Sequence, residues 1–360
     1  MEAGTFLQNV WFLLIGVLFA GYSVLDGFDL GIGVLLPFLA KTEDEKRALL
    51  GAVGPVWDGN EVWLLAGGGA LFAAFPLAYA TVFSGFYLAL MLVLFALILR
   101  AVSLEFRAHD PARKGLWEVV FVGSSLLPAF LFGVALGNVV AGVPLDARGE
   151  YAGTVFTLLR PWPLAVGALG LCVFLLHGSA YAALKTDGAV RERARRSARI
   201  LAGLVFAALF AAFFVVLIFY PQLFDRVASW LIGNFVCLLC ALFLIALKKG
   251  RDGLAFFFSS AIFAGLWGVI GTLHYPNLVR ATDPALSLTV ANASSSPLAL
   301  KIMLLIALAG MPLVVGYTVF AYRVFKGKIR PGEGGYWPDC VLPPDGVCFP
   351  HRDTYLRRAS

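Results

Sequence analysis

Charge is scarce in this chain. Only 14% of its 360 residues are Asp, Glu, Lys or Arg, against about 25% in a soluble globular protein. Mean hydropathy is +0.85, and 60% of the residues are hydrophobic. Those values exclude a soluble domain and point to a polytopic membrane protein. The net charge of +6 resides in the connections between apolar runs, so nucleic acid is not an expected partner. His, Met and Cys are few as well, at four, four and five, which limits haem and metal chemistry, because axial haem ligation needs such a residue facing the core. His109 and His351 fall in polar segments, His274 at the end of a span, and His177 near the inner end of another with no obvious partner. Of the methionines, only Met91, Met303 and Met311 lie in spans. Cys237-Leu-Leu-Cys240 reads as small core residues, and Cys340, Cys348 and His351 lack a fourth zinc ligand. The chain is therefore expected to bind no metal or cofactor itself. No Lys or Arg precedes the first apolar run, which is too long for a signal sequence, so no cleaved peptide is expected.

Long apolar runs are what the chain has in abundance. Nine spans are predicted, at roughly 7–39, 58–76, 79–100, 118–141, 161–184, 200–220, 227–247, 253–273 and 300–323, each near the ~20 residues that cross ~30 Å of hydrocarbon. The first is longer, which predicts a tilt, a kink near its glycines, or a protruding end. Residues 1–330 form one transmembrane helical domain in this reading, and 331–360 a cytoplasmic tail. With nine spans, 23 of the 28 Lys and Arg fall on one side. The positive-inside rule then puts the N-terminus outside and the C-terminus in the cytoplasm. The most basic segment, Lys185–Arg199, reads as an orientation determinant, with anionic lipid headgroups as the other reading. The connection 274–299 is expected to be a polar, turn-rich loop.

Carboxylates within the apolar spans are confined to the first hundred residues; the later spans have none in their interiors. One at bilayer depth costs roughly 2.5–3.5 kcal/mol on insertion scales. Asp26 and Asp29 are three apart, as are Asp58 and Glu61, so each pair shares a helix face. Asp26 and Asp29 either accept hydrogen bonds from Tyr22, Ser23 or loosened backbone, or carry protons, or form ion pairs. Asp58, between Trp57 and Asn60 at the inner surface, either caps its helix or takes up protons. Glu61, one turn deeper, is a buried acid or a second relay step. Arg100 closes the third span as a snorkelling end residue or a site residue, and Glu105 follows it.

Two stretches resemble a known family. Gly27-Phe28-Asp29-Leu30-Gly31 and, more strongly, Pro55-Val56-Trp57-Asp58-Gly59-Asn60-Glu61-Val62-Trp63-Leu64 resemble subunit II of the cytochrome bd-type quinol oxidases. The likeness continues through Gly67–Pro76, Phe83–Tyr87, Phe132–Asn138 and Tyr275–Val279, and covers the chain to about Arg330. The resemblance implies an all-α fold of nine transmembrane helices, as two four-helix bundles plus one peripheral helix. It implies a partner, subunit I, that carries two b haems and haem d, oxidises quinol and reduces O2 to water in the cell membrane. It also implies proton uptake from the cytoplasm through Asp58, with Asp29 and Arg100 matching the polar pattern. A small accessory subunit, membrane lipid and quinone are further partners it allows. Glu61 departs from the pattern, standing where Gln is expected. The alternative is a secondary transporter, since intramembrane carboxylates and Gly-interrupted helices occur there too; the lack of matching polar spots in the second half of the chain counts against it.

Reporter fusions at Gly188 and at Asn292 should show opposite sidedness. Signal from the same side for both would contradict the nine-span topology.

Overall fold

The computed structural model describes residues 3–219 and 227–329. Its helices are α1 (Ala3–Leu25), α2 (Gly27–Leu39), α3 (Glu43–Val53), α4 (Trp57–Ala74), α5 (Pro76–Gly85), α6 (Tyr87–His109), α7 (Lys114–Ala141), α8 (Pro161–Lys185), α9 (Gly188–Phe219), α10 (Val227–Lys248), α11 (Asp252–His274) and α12 (Pro297–Val324). One antiparallel pair, β1 (Asn277–Val279) and β2 (Leu288–Thr289), lies between the last two helices. The expected tail 331–360, with Cys340, Cys348 and His351, lies outside the described residues, as do residues 220–226.

Eight segments are long and apolar enough to cross a membrane: Phe6–Leu39 and those containing α6 to α12. The second expected span corresponds to α4, which is not among them. Its 18 residues rise only ~27 Å, and they include Asp58, Glu61 and three consecutive glycines. The first span is interrupted at Asp26, yet its ladder continues: Asp26 N donates to Tyr22 O at 2.8 Å and Leu30 N to Asp26 O at 3.0 Å.

The third expected span, 79–100, is displaced. Pro76 cannot continue the ladder of α4; it opens α5, whose ten residues reach only ~15 Å. The returning helix therefore starts at Tyr87 and runs to His109. Arg100 consequently does not close a span. It sits nine residues, or ~13 Å, from the end of α6 and is buried.

The helices pair as the apolar faces require. α1–α2, α4, α6 and α7 come first along the chain as one helical group and α8 to α11 follow as a second, the two packing extensively on each other through α7–α8 and α2–α8, and α12 stands at the edge against α1 and α4. Leu300 is the one buried residue of α12. Inside a bilayer, lipid tails are as apolar as leucine, so close backbone approach rather than hydrophobic drive holds helices together. α2 crosses α8 where Gly31 meets Gly178: a Cβ on Gly178 would lie 2.6 Å from Gly31 C and 2.7 Å from Ile32 N. α7 crosses α8 in the same way at Gly133 and Gly167.

One end of the molecule is rich in ion pairs. Arg107 lies 2.9 Å from Glu43 and 2.8 Å from Glu118, and Lys46 is 2.6 Å from Glu118. Thr42 and Glu45 form a capping box on α3. Much of the basic segment 185–199 is the first three turns of α9, and its arginines are largely engaged: Arg193 lies 2.6 Å from Glu45, Arg191 2.6 Å and Arg195 3.3 Å from Asp252. The hydrogen bond that Arg193 offers holds the Glu45 carboxyl below the usual carboxylate range. At the other end, the connection 274–299 is more than a loop. β1 and β2 bury Val279 and Leu288, and Val143 bridges Ala281, so this end is lidded by a small apolar layer.

At the Gly31–Gly178 crossing both neighbours are backbone, so neither can yield. Gly178→Ala should destabilise the chain by about 1–3 kcal/mol, read as a lower unfolding midpoint by intrinsic fluorescence. An unchanged midpoint would mean that the two helices do not approach this closely.

Candidate functional site: a buried acid cluster around Arg100

Four elements bring polar groups to one point at the α1–α2 junction. Asp26 is the residue between the two helices, Asp29 lies one turn along α2, Asn60 and Glu61 lie on the first turns of α4, and Arg100 projects from the middle of α6. Arg100 Nη2 donates to Asp26 Oδ1 at 2.6 Å and to Glu61 Oε1 at 2.7 Å. Asn60 Nδ2 donates to Asp29 Oδ2 at 2.7 Å. Tyr322 of α12 donates from its hydroxyl to Asn60 Oδ1 at 3.0 Å. Asp26, Asp29, Asn60 and Arg100 are 0–3% exposed, whereas the Glu61 side chain keeps 23% of its surface. The cluster is thus closed inside and open at Glu61.

Its hydrogen bonding is unfinished within the protein. Asp26 Oδ2, Asp29 Oδ1, Arg100 Nη1 and Tyr22 Oη are buried without a protein partner. A cavity of about 10 Å³ lies against Asp29, Arg100, Trp57 and Phe121, the volume of about one water-sized probe. Three carboxylates face one guanidinium here, so the acids outnumber the fixed positive charge.

The expected residues divide into two sets. The structure joins Asp26, Asp29, Asn60, Glu61 and Arg100, which the sequence placed on three separate spans. Trp57 lines the cavity. Asp58 stands apart: it is exposed on the first turn of α4 and makes no side-chain cap, the N-cap position being Val56. Glu105 lies outside the group, half-buried five residues further along α6. Ser23 does not serve the acids; its hydroxyl donates to Phe19 O and accepts from Trp267 Nε1. Tyr322 is the member that sequence reasoning missed. It lies more than 200 residues away, two residues before the end of α12, and no local pattern in the sequence links it to the acids. His177, which had no evident partner in the sequence, has two: Nδ1 is 2.7 Å from Ser259 Oγ and Nε2 is 2.8 Å from Val24 O. With both ring nitrogens engaged and Phe256 stacked on the ring, it does not fit haem ligation.

The family model for cytochrome bd terminal oxidase subunit II matches residues 7–325. The chain belongs to that family. A Bacillus subtilis relative, cytochrome bd ubiquinol oxidase subunit 2, is 36% identical over 332 residues, covering 91% of this chain and 98% of the relative. Cytochrome bd-I ubiquinol oxidase subunit 2 of Escherichia coli K12 is 32% identical over 362 residues, covering 90% and 95%. Among solved structures, a chain of the bd oxidase from Geobacillus thermodenitrificans superposes with a TM-score of 0.75 at 17% identity, over 89% of this chain and 98% of that one. The last likeness establishes the fold. In this subunit II, then, the acid cluster sits in the first helical group, at the contact of α1–α2, α4 and α6.

Removing one partner of a buried ion pair leaves the others uncompensated, at a cost of about 3–5 kcal/mol. Arg100→Ala should therefore lower the yield of folded subunit sharply. Combining Arg100→Gln with Asp26→Asn and Glu61→Gln should restore much of it, because the guanidinium and the two carboxylates bonded to it are then neutralised together. Wild-type yield from Arg100→Ala alone would contradict the ion-pair geometry.

Proposed function

We propose that this chain, as one subunit of a bd-type terminal quinol oxidase, takes up protons from the cytoplasm through Asp58 and Glu61. Family membership makes the chain part of an oxidoreductase complex and an integral membrane protein. The two b haems, haem d and the quinol belong, in this reading, to the haem-bearing subunit I, and the chain described here supplies support and a proton entry.

One observation carries the proton reading. Asp58 is exposed, Glu61 lies one turn further at about 4.5 Å of helix rise, and Glu61 shares Arg100 with fully buried Asp26. A relay needs groups that can exchange a proton, spaced within reach of a side-chain movement or a bridging water. Asp58, Glu61 and Asp26 form such a series from surface to interior, and Asp29 with Asn60 extends it. The acid excess around Arg100 gives a proton a place to reside. By the Lys/Arg count the end that bears Asp58 faces the cytoplasm, where protons for water formation are drawn.

The partner reading rests on exposed apolar surface. Leu65, Phe72, Leu88, Phe95, Leu313 and Phe320 on α4, α6 and α12 are each more than half exposed. A second helical subunit docked there would cover them and also Asp58. The transporter reading finds no support in the family match.

Asp58→Asn keeps shape and removes the proton carrier. The complex should assemble with full haem content, while quinol-driven oxygen consumption falls by about tenfold or more, in the range that a positioned proton donor contributes. Glu61→Gln should reduce turnover to a smaller extent while keeping the Arg100 hydrogen bond. Normal turnover in Asp58→Asn with normal assembly would reject the relay. Loss of haem and of the complex would assign Asp58 a structural role.

A further inference from the structure

α9 packs tightly along only half its length. Its buried residues are Val190, Ala194, Ala198, Leu201, Ala202 and Val205. The 4-4-3-4 spacing of the face they share continues through Ala208, Ala212 and Val215, which fall at the same helical positions. Those residues are not buried. Together with Ala211 they line a groove of about 730 Å³, whose opposite wall is Val166 and Leu169 of α8 and whose mouth holds Arg160 and Trp162. Beyond Val205, α9 stands away from α8, and its alanines keep the gap open.

We infer that this groove holds a phospholipid of the leaflet at this end, with one acyl chain between α8 and α9 and the headgroup phosphate on Arg160. Three features fix the ligand chemistry. First, the groove extends from Arg160 to Leu169, nine residues or ~13 Å along α8, which is close to half of the ~30 Å hydrocarbon core. Its depth is that of one leaflet. Secondly, the charge is at the mouth and nowhere deeper. Arg160 donates Nη2 to Gly142 O at 2.8 Å, its Nε is buried without a protein acceptor, and among the described residues no carboxylate lies within ion-pair distance. A guanidinium with spare donors recognises a phosphate oxygen by charge-assisted hydrogen bonds. Thirdly, Val166, Leu169, Ala208, Ala211, Ala212 and Val215 offer no polar side chain at depth. A ligand with polar oxygens on a buried ring would leave them unpaired there, whereas an acyl chain loses nothing. Trp162 at the mouth suits the headgroup level, where its ring is commonly found.

The test uses the assembled oxidase in mild detergent, with native mass spectrometry of its bound lipids and titration with dioleoyl-phosphatidylglycerol. Wild type should retain one tightly held phospholipid. Ala212→Phe fills the groove and should lose that adduct. Ala207→Phe adds the same bulk to an exposed position that does not line the groove and should keep it. Arg160→Gln should weaken retention roughly tenfold, as expected for loss of a charged hydrogen bond. If Ala212→Phe fails to assemble, Ala212→Leu is read in its place. The inference is overturned if the groove-filling variant retains the same adduct as wild type, if the adduct has the mass of a quinone, or if inorganic phosphate alone displaces it.

Discussion

Arg100 ties three helices together through two carboxylates, one fully enclosed and one that keeps part of its surface. Asp26 comes from the α1–α2 junction, Glu61 from α4, and the guanidinium from α6. Burying such charges is costly, and their attraction repays the cost only when geometry and further hydrogen bonds are good. That constraint orders the surrounding structure. Asp26 presents its carboxyl at the α1–α2 junction while the backbone ladder runs on through it, and α6 places Arg100 ~13 Å from its end rather than at it. Asn60 must then turn to serve Asp29, and Tyr322 of the otherwise loosely held α12 reaches in to serve Asn60. The cluster therefore does for the first helical group what the glycine crossings at Gly31–Gly178 and Gly133–Gly167 do for the contacts of α8.

Membrane character, most of the spans and the intramembrane acids of the first hundred residues were legible in the sequence, because hydropathy and charge distribution are local signals. The errors were also local in cause. Residues 76–100 are apolar without a break, so composition could not show that Pro76 and Gly85 set off a separate short helix and shifted the next one by eight or nine residues. That shift is what moved Arg100 from the surface to the core. The strands β1 and β2 escaped notice because pairs of two and three residues carry no readable alternation. The site residues could be named individually, but their assembly could not be. Asp26, Glu61 and Arg100 lie up to 74 positions apart, and only the folded helices show that one guanidinium serves two of the acids.

The two halves of α9 show how little the sequence of one face decides in a membrane. The same small-residue spacing runs from Val190 to Val215, yet its first half is buried against the neighbouring helices and its second half borders a groove. In water the second half would collapse to hide its apolar surface. In a bilayer that drive is absent, and a lipid chain satisfies the same surface as well as a helix does. Ion pairs from Arg191 and Arg195 to Asp252, and from Arg193 to Glu45, secure the basic end of the helix. Beyond that anchored end, the splay costs little.

A fixed salt bridge and the proposed proton path place opposite demands on one cluster. Asp26 is fully enclosed, 2.6 Å from Arg100 Nη2. Glu61 shares the same nitrogen but keeps nearly a quarter of its side chain exposed. Asp29 is tied to a neutral amide rather than to the arginine. The cluster thus contains two carboxylates bonded to the guanidinium and one that is not. A Gln at position 61 would keep a hydrogen bond to Arg100 and remove one carboxylate from the cluster, so the acid excess on which the proposed relay draws depends on Glu61.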